Sequence, residues 1–190
     1  MMGRGSAARP AALEAYALLD VPAGYDGWGE WLGPDAAPAL ADLLAECQHE
    51  VVLSLGRPSA WEAAPVLEEG APGAGGAEPA DRFAAGLFGF DGQLNAFVQV
   101  VRAHPSPDAF TIAALVVRPE LRGCGVAAQL VEAVEAWARA DGARALRLHI
   151  PRRNPGAVAF ALRSGFEERG DEALSDPAAA GLAVMVRPID

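Results

Sequence analysis

A short glycine-containing segment holds the residues of this chain whose types and spacing best suit chemistry on an anion. It comprises residues 122–127, Arg-Gly-Cys-Gly-Val-Ala, between an apolar run and a helical pattern. The first amides of a helix have no partner within the helix, and the helix dipole adds partial positive charge there. Gly123 and Gly125 keep side chains away from that backbone. The segment therefore predicts a phosphate-binding loop, although a plain tight connection has the same composition.

Two elements must position this loop. Residues 110–117 are apolar at nearly every position, which is typical of a strand covered on both faces, and Pro119 ends the run. After the loop the apolar residues recur every three or four positions, which predicts an amphipathic helix that Asp141 and Gly142 end. The apolar side comprises Val126, Leu130, Val134 and Trp137, and the other side comprises Glu132, Glu135 and Arg139.

Two blocks of the sequence resemble conserved segments of a known superfamily. The first is the loop itself, with Arg122, Gly125 and Ala127 directly after the apolar strand. The second is Asn-Pro-Gly-Ala at residues 154–157, followed by Ser-Gly-Phe at residues 164–166. In this order they resemble the coenzyme A pyrophosphate loop and the next conserved segment of the GNAT superfamily of acyl-CoA-dependent N-acetyltransferases. The likeness covers residues 94–188, about half of the chain.

The resemblance implies an α/β (α+β) fold, with a mixed, mostly antiparallel sheet and helices on both faces. Two central parallel strands, residues 110–117 and 146–150, are expected to splay apart. The pantetheine arm of coenzyme A would lie in that gap and the pyrophosphate on the loop, while Asn154 would bond the arm and cap the next helix. The implied cofactor-binding residues are Leu115, Val116, Val117, Arg122, Gly123, Cys124, Gly125, Val126, Ala127 and Asn154. No metal is implied.

The implied activity is acetyl transfer from acetyl-CoA to a primary amine of a small molecule or a protein, by direct attack on the thioester. A lysine-like amine with a pKa of about 10.4 costs roughly 4.6 kcal/mol to present neutral at pH 7. A thiol with a pKa of about 8.5 leaves as thiolate for only about 2 kcal/mol. A general base is therefore needed more than a general acid.

His149 is the preferred candidate for that base. It lies five residues before Asn154, where some relatives place a catalytic glutamate, and histidine titrates in the right range. A single histidine in a strand is also commonly structural, and Asp108 and Glu30 are lesser candidates. The tyrosine that many relatives carry seven residues after the asparagine is Ala161 here. This replacement keeps a second hypothesis open, a non-catalytic acyl-CoA-binding sensor or partner subunit.

The charge of the chain is unevenly distributed. The formal net charge of −10 divides into −9 over residues 1–103 and −1 over residues 104–190. A half that binds a polyanionic cofactor is expected to keep its arginines, among them Arg118, Arg152 and Arg153, and a half that receives a cationic amine is expected to be acidic. Acidity that only maintains solubility explains the N-terminal half equally well. The balance argues against nucleic-acid binding.

Length and composition predict one domain, since 190 residues leave little room for two cores. Residues 1–12 are expected to be a mobile tail, and residues 13–190 a single GNAT-like acetyltransferase domain. Within it, residues 13–82 would form acceptor-side helices and residues 83–190 the acyl-CoA-binding core. With no long apolar run and no secretory signal, a soluble cytoplasmic protein without a membrane partner is expected. The superfamily often pairs two chains through an outer strand, so a homodimer stays open.

The remaining elements follow from local patterns. In the N-terminal half these are a strand or short helix at 13–21, an aromatic and acidic loop at 25–31, a helix at 38–55 capped by Asp35, a second helix at 59–70 and a flexible connector at 71–80. In the C-terminal half they are a β-hairpin at 83–101 turning at Asp91 and Gly92, and closing strands at 166–170 and 182–187 joined by a loop at Asp176 and Pro177. Cys47 and Cys124 are expected to be free thiols.

Overall fold

The computed structural model describes residues 27–49, 82–170 and 181–190. Several predictions lie outside these residues: the tail at 1–12, the element at 13–21, the helix at 59–70, the connector at 71–80 and the loop at Asp176 and Pro177.

The described residues form one seven-stranded sheet. Its strands are β1 (Gly27–Trp31), β2 (Arg82–Gly89), β3 (Leu94–Val101), β4 (Ala109–Val117), β5 (Ala145–Pro151), β6 (Glu167–Glu168) and β7 (Leu182–Pro188). The spatial order is β1-β2-β3-β4-β5-β7-β6. Strands β4 and β5 run parallel, and the other neighbouring pairs run antiparallel. The prediction of a mixed, mostly antiparallel sheet with one central parallel pair is confirmed.

Helices pack on both faces of this sheet. They are α1 (Ala37–Glu46), α2 (Val126–Ala140) and α3 (Pro155–Arg163), with 3-10 turns at Pro34–Ala36 and Pro119–Leu121. Helices α2 and α3 share a core with Val98 of β3, whereas α1 packs against its neighbour Phe97. Because successive strand residues point to opposite faces, α1 and α2 lie on opposite sides of the sheet. Within the described part of the chain, no helix has the length and apolar character needed to cross a membrane.

The first strand corrects the prediction of a loop at residues 25–31. Residues 27–31 form β1 at the edge of the sheet, in register with β2 from Gly27 opposite Gly89 to Trp31 opposite Ala85. The Trp31 ring packs edge-on against Trp137, with the ring centroids 5.5 Å apart. The aromatic and acidic composition suggested a loop. The segment is a strand because its backbone pairs with the outer edge of β2 and because Trp31 packs against Trp137.

Helix α1 also differs from its prediction. It ends at Glu46, and Cys47 leaves the regular helix while its amide donates to the Leu43 carbonyl. Residues 48 and 49 are again helical, and residues 50–55 lie outside the described part. Asp35 is not the cap, because the chain enters α1 through the 3-10 turn and the N-cap position is occupied by Ala36.

Two further predictions are corrected towards the C-terminus. Glu135 was expected on the solvent side of α2, but it is buried between the guanidinium groups of Arg139 and Arg187. The strand predicted at residues 166–170 shortens to Glu167–Glu168, which pair with Val186 and Met185 of β7, and the Arg169 amide adds one further bond to the Val184 carbonyl.

The hairpin of β2 and β3 confirms its prediction, with a longer turn than expected. The Gly92 amide donates to the Gly89 carbonyl, and the Gly89 amide donates to the Gln93 carbonyl. Phe90 therefore joins Asp91 and Gly92 outside the ladder. Gly92 has a φ of 80°, which glycine adopts at little cost.

Candidate cofactor loop and active site

A wedge opens between the two parallel strands. Strands β4 and β5 pair only from Ala109 opposite Ala145 to Ile112 opposite Leu148. Beyond these residues β4 continues to Val117 and β5 to Pro151 without pairing to each other. The predicted splayed pair is therefore present, closed at the start of β4 and open towards its end.

A β-bulge accounts for the divergence of β4. On the β3 side, Gln99 is opposite Ala114 and Val100 is opposite Ile112, so Ala113 has no residue opposite it. A bulge bends its strand and increases the local twist. It lies directly after Ile112, the last β4 residue paired with β5, so β4 turns away from β5 at that point.

The far part of β4 forms one wall of the wedge. The Arg118 amide donates to the Asn95 carbonyl of β3 at 2.9 Å. Because antiparallel partners alternate between bonded and non-bonded positions, the backbone groups of Val116 also face β3, and those of Leu115 and Val117 face the wedge. Of the three predicted wall residues, Leu115 and Val117 thus present backbone groups to the opening.

The loop between β4 and α2 has the backbone that its glycines predicted. Gly123 has a φ of 79°, and Gly125, the N-cap of α2, has a φ of 87°. A Cβ atom built on Gly123 would meet nothing within 4 Å, and one on Gly125 would meet only the Gln129 amide nitrogen at 3.8 Å. The space beside both glycines is therefore open, and a ligand can approach the backbone closely.

The amides of this loop point out of the helix end. Within residues 27–49, 82–170 and 181–190, no group accepts a hydrogen bond from the amides of Gly123, Gly125, Val126, Ala127 and Ala128. The Gln129 amide is the first to bond along α2, to the Gly125 carbonyl at 3.0 Å. The Cys124 amide donates to the Leu121 carbonyl over a long 3.4 Å. A row of amides at the positive end of α2 suits a phosphate or diphosphate.

The arginines around the loop are not all directed to solvent. The Arg122 Nε donates to the Val117 carbonyl at 3.0 Å, so its side chain turns back over the end of β4. Arg118 is buried, donates to the Leu94 carbonyl at 3.2 Å and forms an ion pair with Glu46. Arg152 and Arg153 are exposed, and Arg152 pairs with Glu168. Of the three arginines that were further candidates for phosphate contact, Arg118 is committed to an internal ion pair.

His149 lies at the point where the wedge begins. It is the first β5 residue beyond the parallel pairing, is exposed and lies opposite Val184 of β7. Its neighbours Leu148 and Ile150 belong to the core beneath α2, so His149 points to the other face of the sheet.

The two lesser candidates for the base lie elsewhere. Asp108 precedes β4 at the closed end of the parallel pair. The Ser106 hydroxyl, which donates to its carboxylate at 2.6 Å, lowers the pKa of Asp108, and a backbone hydrogen bond lowers it further. A lower pKa makes a weaker base. Glu30 is on the edge strand β1, three strands from β4.

Helix α3 begins and ends as predicted. The Asn154 side chain accepts a hydrogen bond from the Ala157 amide at 3.1 Å, Pro155 is the first helical residue and Gly165 follows the end with a φ of 79°. Ala161, the position of the superfamily's tyrosine, is completely buried in the core that α3 shares with α2. Helix α3 therefore has no ionisable side chain at the position of that tyrosine.

Sequence reasoning missed the contacts that α1 makes with this region. Cys47 and Glu46, at the end of α1, touch Arg122 and Arg118 respectively. No local pattern could indicate these contacts, because more than 70 residues separate each pair along the chain. Among the residues that the structure describes, no group of three His, Cys, Asp or Glu side chains is placed to hold a metal ion.

Several solved structures resemble this chain. A nourseothricin acetyltransferase is 31% identical over 60% of this chain and 68% of its own length, with a TM-score of 0.50. An acetyltransferase from Thermus thermophilus is 22% identical over 84% of this chain and 96% of its own, with a TM-score of 0.63. PaiA N-acetyltransferase from Thermoplasma acidophilum, solved with coenzyme A, is 16% identical over 84% and 97%, with a TM-score of 0.65. The last two show a shared fold.

The sequence itself defines the family. The sequence model of the Acetyltransferase (GNAT) family matches residues 40–166, more than half of the chain. No curated protein sequence matches the chain. The chain belongs to the GNAT family of acetyltransferases.

Proposed function

We propose that this protein is an acetyl-CoA-dependent N-acetyltransferase that acetylates a primary amine of a small molecule or a protein. The observation that supports the proposal most is the joint presence of the open wedge and the row of amides at the start of α2. The bulge at Ala113 opens the wedge, and the absence of side chains at Gly123 and Gly125 leaves the amides accessible to a ligand. Both features lie at the same end of β4.

Each feature has a role in this proposal. The amides of Gly123 and of residues 125–127 bind the pyrophosphate, with Arg122 holding the loop to the end of β4. The backbone groups of Leu115 and the Val117 amide, with Val116 between them, and the Asn154 side chain bind the pantetheine arm. Acetyl-CoA supplies the acetyl group as a thioester. We also propose that residues 13–190 form a single domain and that the protein is cytoplasmic.

The acceptor is proposed to be a cationic amine. The acidic N-terminal half supports this choice, because negative charge attracts a cation before one proton is removed. The likeness to a nourseothricin acetyltransferase over 60% of the chain supports it independently. Nourseothricin and linear polyamines are therefore the first acceptors to test.

The proposed activity is tested by mixing the protein with acetyl-CoA and these amines and measuring released thiol. We expect release above background with at least one cationic amine, and a product heavier by one acetyl group in mass spectrometry. Calorimetry with coenzyme A alone measures binding in parallel. A protein that binds neither acetyl-CoA nor coenzyme A refutes the proposal, whatever the amine.

Replacing His149 with alanine tests the proposed base. Because a base contributes typically about 10²- to 10⁴-fold, we expect kcat/KM at pH 7 to fall by about 100-fold. The deficit should shrink as pH rises, since the amine then loses its proton to water. His104→Ala is the matched control, because His104 lies at the closed end and contacts the Thr111 hydroxyl at 3.4 Å. A wild-type rate for His149→Ala from pH 6 to 9 removes His149 from the mechanism.

One observation favours a second candidate function, a non-catalytic acyl-CoA-binding sensor or partner subunit. Ala161 stands where many relatives carry the acid that protonates the leaving sulfur, and it is sealed in the core. A thiolate leaves at modest cost, so this loss alone does not abolish transfer. Tight coenzyme A binding without thiol release over a broad amine panel selects the second function.

A further inference from the structure

Two successive residues at the end of α1 contact the residue that follows β4 and the first residue of the cofactor loop. Glu46, the last residue of α1, forms an ion pair with Arg118, and Cys47 contacts Arg122. The two arginines flank the 3-10 turn Pro119–Leu121, which leads from β4 into the glycines. Helix α1 thus touches both ends of the segment that sets the position of the loop.

The first contact fixes the residue where β4 ends. Arg118 is only 3% exposed, its amide donates to the Asn95 carbonyl and its guanidinium donates to the Leu94 carbonyl. A buried guanidinium needs a counter-charge, because an uncompensated charge is costly away from water. Glu46, which is half exposed, supplies the carboxylate.

The second contact brings together three groups at the start of the loop: the Cys47 thiol, the Val117 carbonyl and the Arg122 guanidinium. Cys47 is fully buried, and its Sγ lies 3.6 Å from the Val117 carbonyl and 3.5 Å from Nη2 of Arg122. The same carbonyl accepts from Nε of Arg122 at 3.0 Å. A thiol is a weak hydrogen-bonding group, so its main effect is to fill the site and hold the guanidinium in one orientation.

We propose that Glu46 and Cys47 are positioning residues for the cofactor loop. They act through Arg118 and Arg122, so that the loop amides are already aimed at the diphosphate before coenzyme A arrives. Preorganised groups bind more tightly than groups that must be ordered on binding. This inference rests on the proposed function, in which coenzyme A occupies that loop.

The test is the affinity of the full chain for coenzyme A, measured by calorimetry. We expect Cys47→Ala to raise the Kd roughly tenfold, since small misplacements of a binding group are costly. Cys47→Ser should recover most of the affinity, because its hydroxyl can donate to the Val117 carbonyl and accept from Arg122. Glu46→Gln should also weaken binding. Leu40→Val, a buried change of similar size two turns earlier in α1, should leave the Kd unchanged.

Hydrogen exchange gives a readout that needs no ligand. The Arg122 amide donates to the Pro119 carbonyl at 3.2 Å, and we expect it to exchange faster in Cys47→Ala than in wild type or Leu40→Val. Wild-type affinity and wild-type exchange in Cys47→Ala overturn the positioning role. Absence of coenzyme A binding by the wild-type protein instead overturns the proposed function, and the exchange experiment still decides whether Cys47 holds the loop.

Discussion

Replacing Gly125 with glutamate is expected to raise the Kd for coenzyme A by at least about 100-fold. Gly125 caps α2 beside the unpartnered amides, and the space where its side chain would lie is open. A carboxylate there would stand where the diphosphate is proposed to bind. Two unit charges 4 Å apart repel by about 4 kcal/mol at an effective dielectric constant of 20, and tenfold in Kd corresponds to about 1.4 kcal/mol.

Backbone strain must be separated from this charge effect. Gly125 has a φ of 87°, a left-handed conformation that costs other residues roughly 1–2 kcal/mol. Gly125→Ala carries the strain without the charge, so it should weaken binding much less than Gly125→Glu. Gly142, with a φ of 85°, follows the opposite end of α2, and Gly142→Ala should lower stability without changing the Kd. Coenzyme A binding by Gly125→Glu at the wild-type Kd would contradict the loop assignment.

Replacing Glu135 with glutamine is expected to lower the free energy of unfolding by about 2–3 kcal/mol. The Glu135 carboxylate is buried and lies 2.5 Å from both Arg139 and Arg187. Nη1 of Arg187 also donates to the Ser164 carbonyl at the end of α3. One carboxylate thus connects α2, α3 and β7, and its loss leaves the charge of Arg187 without its partner. The loss would be larger if Arg187 were completely buried, but its side chain remains 25% exposed.

Chemical denaturation of matched variants measures this effect. Glu132→Gln removes the same charge from an exposed position on α2 and should change stability by less than about 0.5 kcal/mol. Exchanging both partners in Glu135→Leu with Arg187→Met should recover part of the loss, since apolar pairs often replace buried ion pairs without penalty. A loss below about 0.5 kcal/mol in Glu135→Gln would show that the ion pairs contribute nothing. Coenzyme A affinity should be unchanged, because these residues lie away from the loop.

The C-terminal half was predictable because its signals are local. The apolar run at residues 110–117, a glycine turn and a helical repeat each fix their own conformation, and the structure confirms all three as β4, the loop and α2. Asn154 and Pro155 likewise predicted the start of α3 from preferences of the first helical turn. The positive φ angles of Gly123 and Gly125 follow from the same local chemistry.

Features set by distant contacts were not predictable. Residues 27–31 form a strand because β2 offers them a free edge, and Glu135 is buried because Arg187 approaches from β7. Neither partner is visible in a local window of sequence. The contact of Cys47 with Arg122 is of the same kind. In the candidate site, local patterns therefore predicted the loop, whereas its contact with the end of α1 is visible only in the tertiary structure.

The unpaired Ala113 shows that the opening depends on how many residues β4 contains rather than on which residues they are. One surplus alanine, without any functional group, lets the strand follow β3 and leave β5. Most side chains could replace it at this exposed position with little effect on the gap. Deleting it would place Ala114 directly after Ile112 in regular alternation, so Leu115 and Val117 would stay opposite Val98 and Ala96 in the core, and the bend at which β4 leaves β5 would be lost.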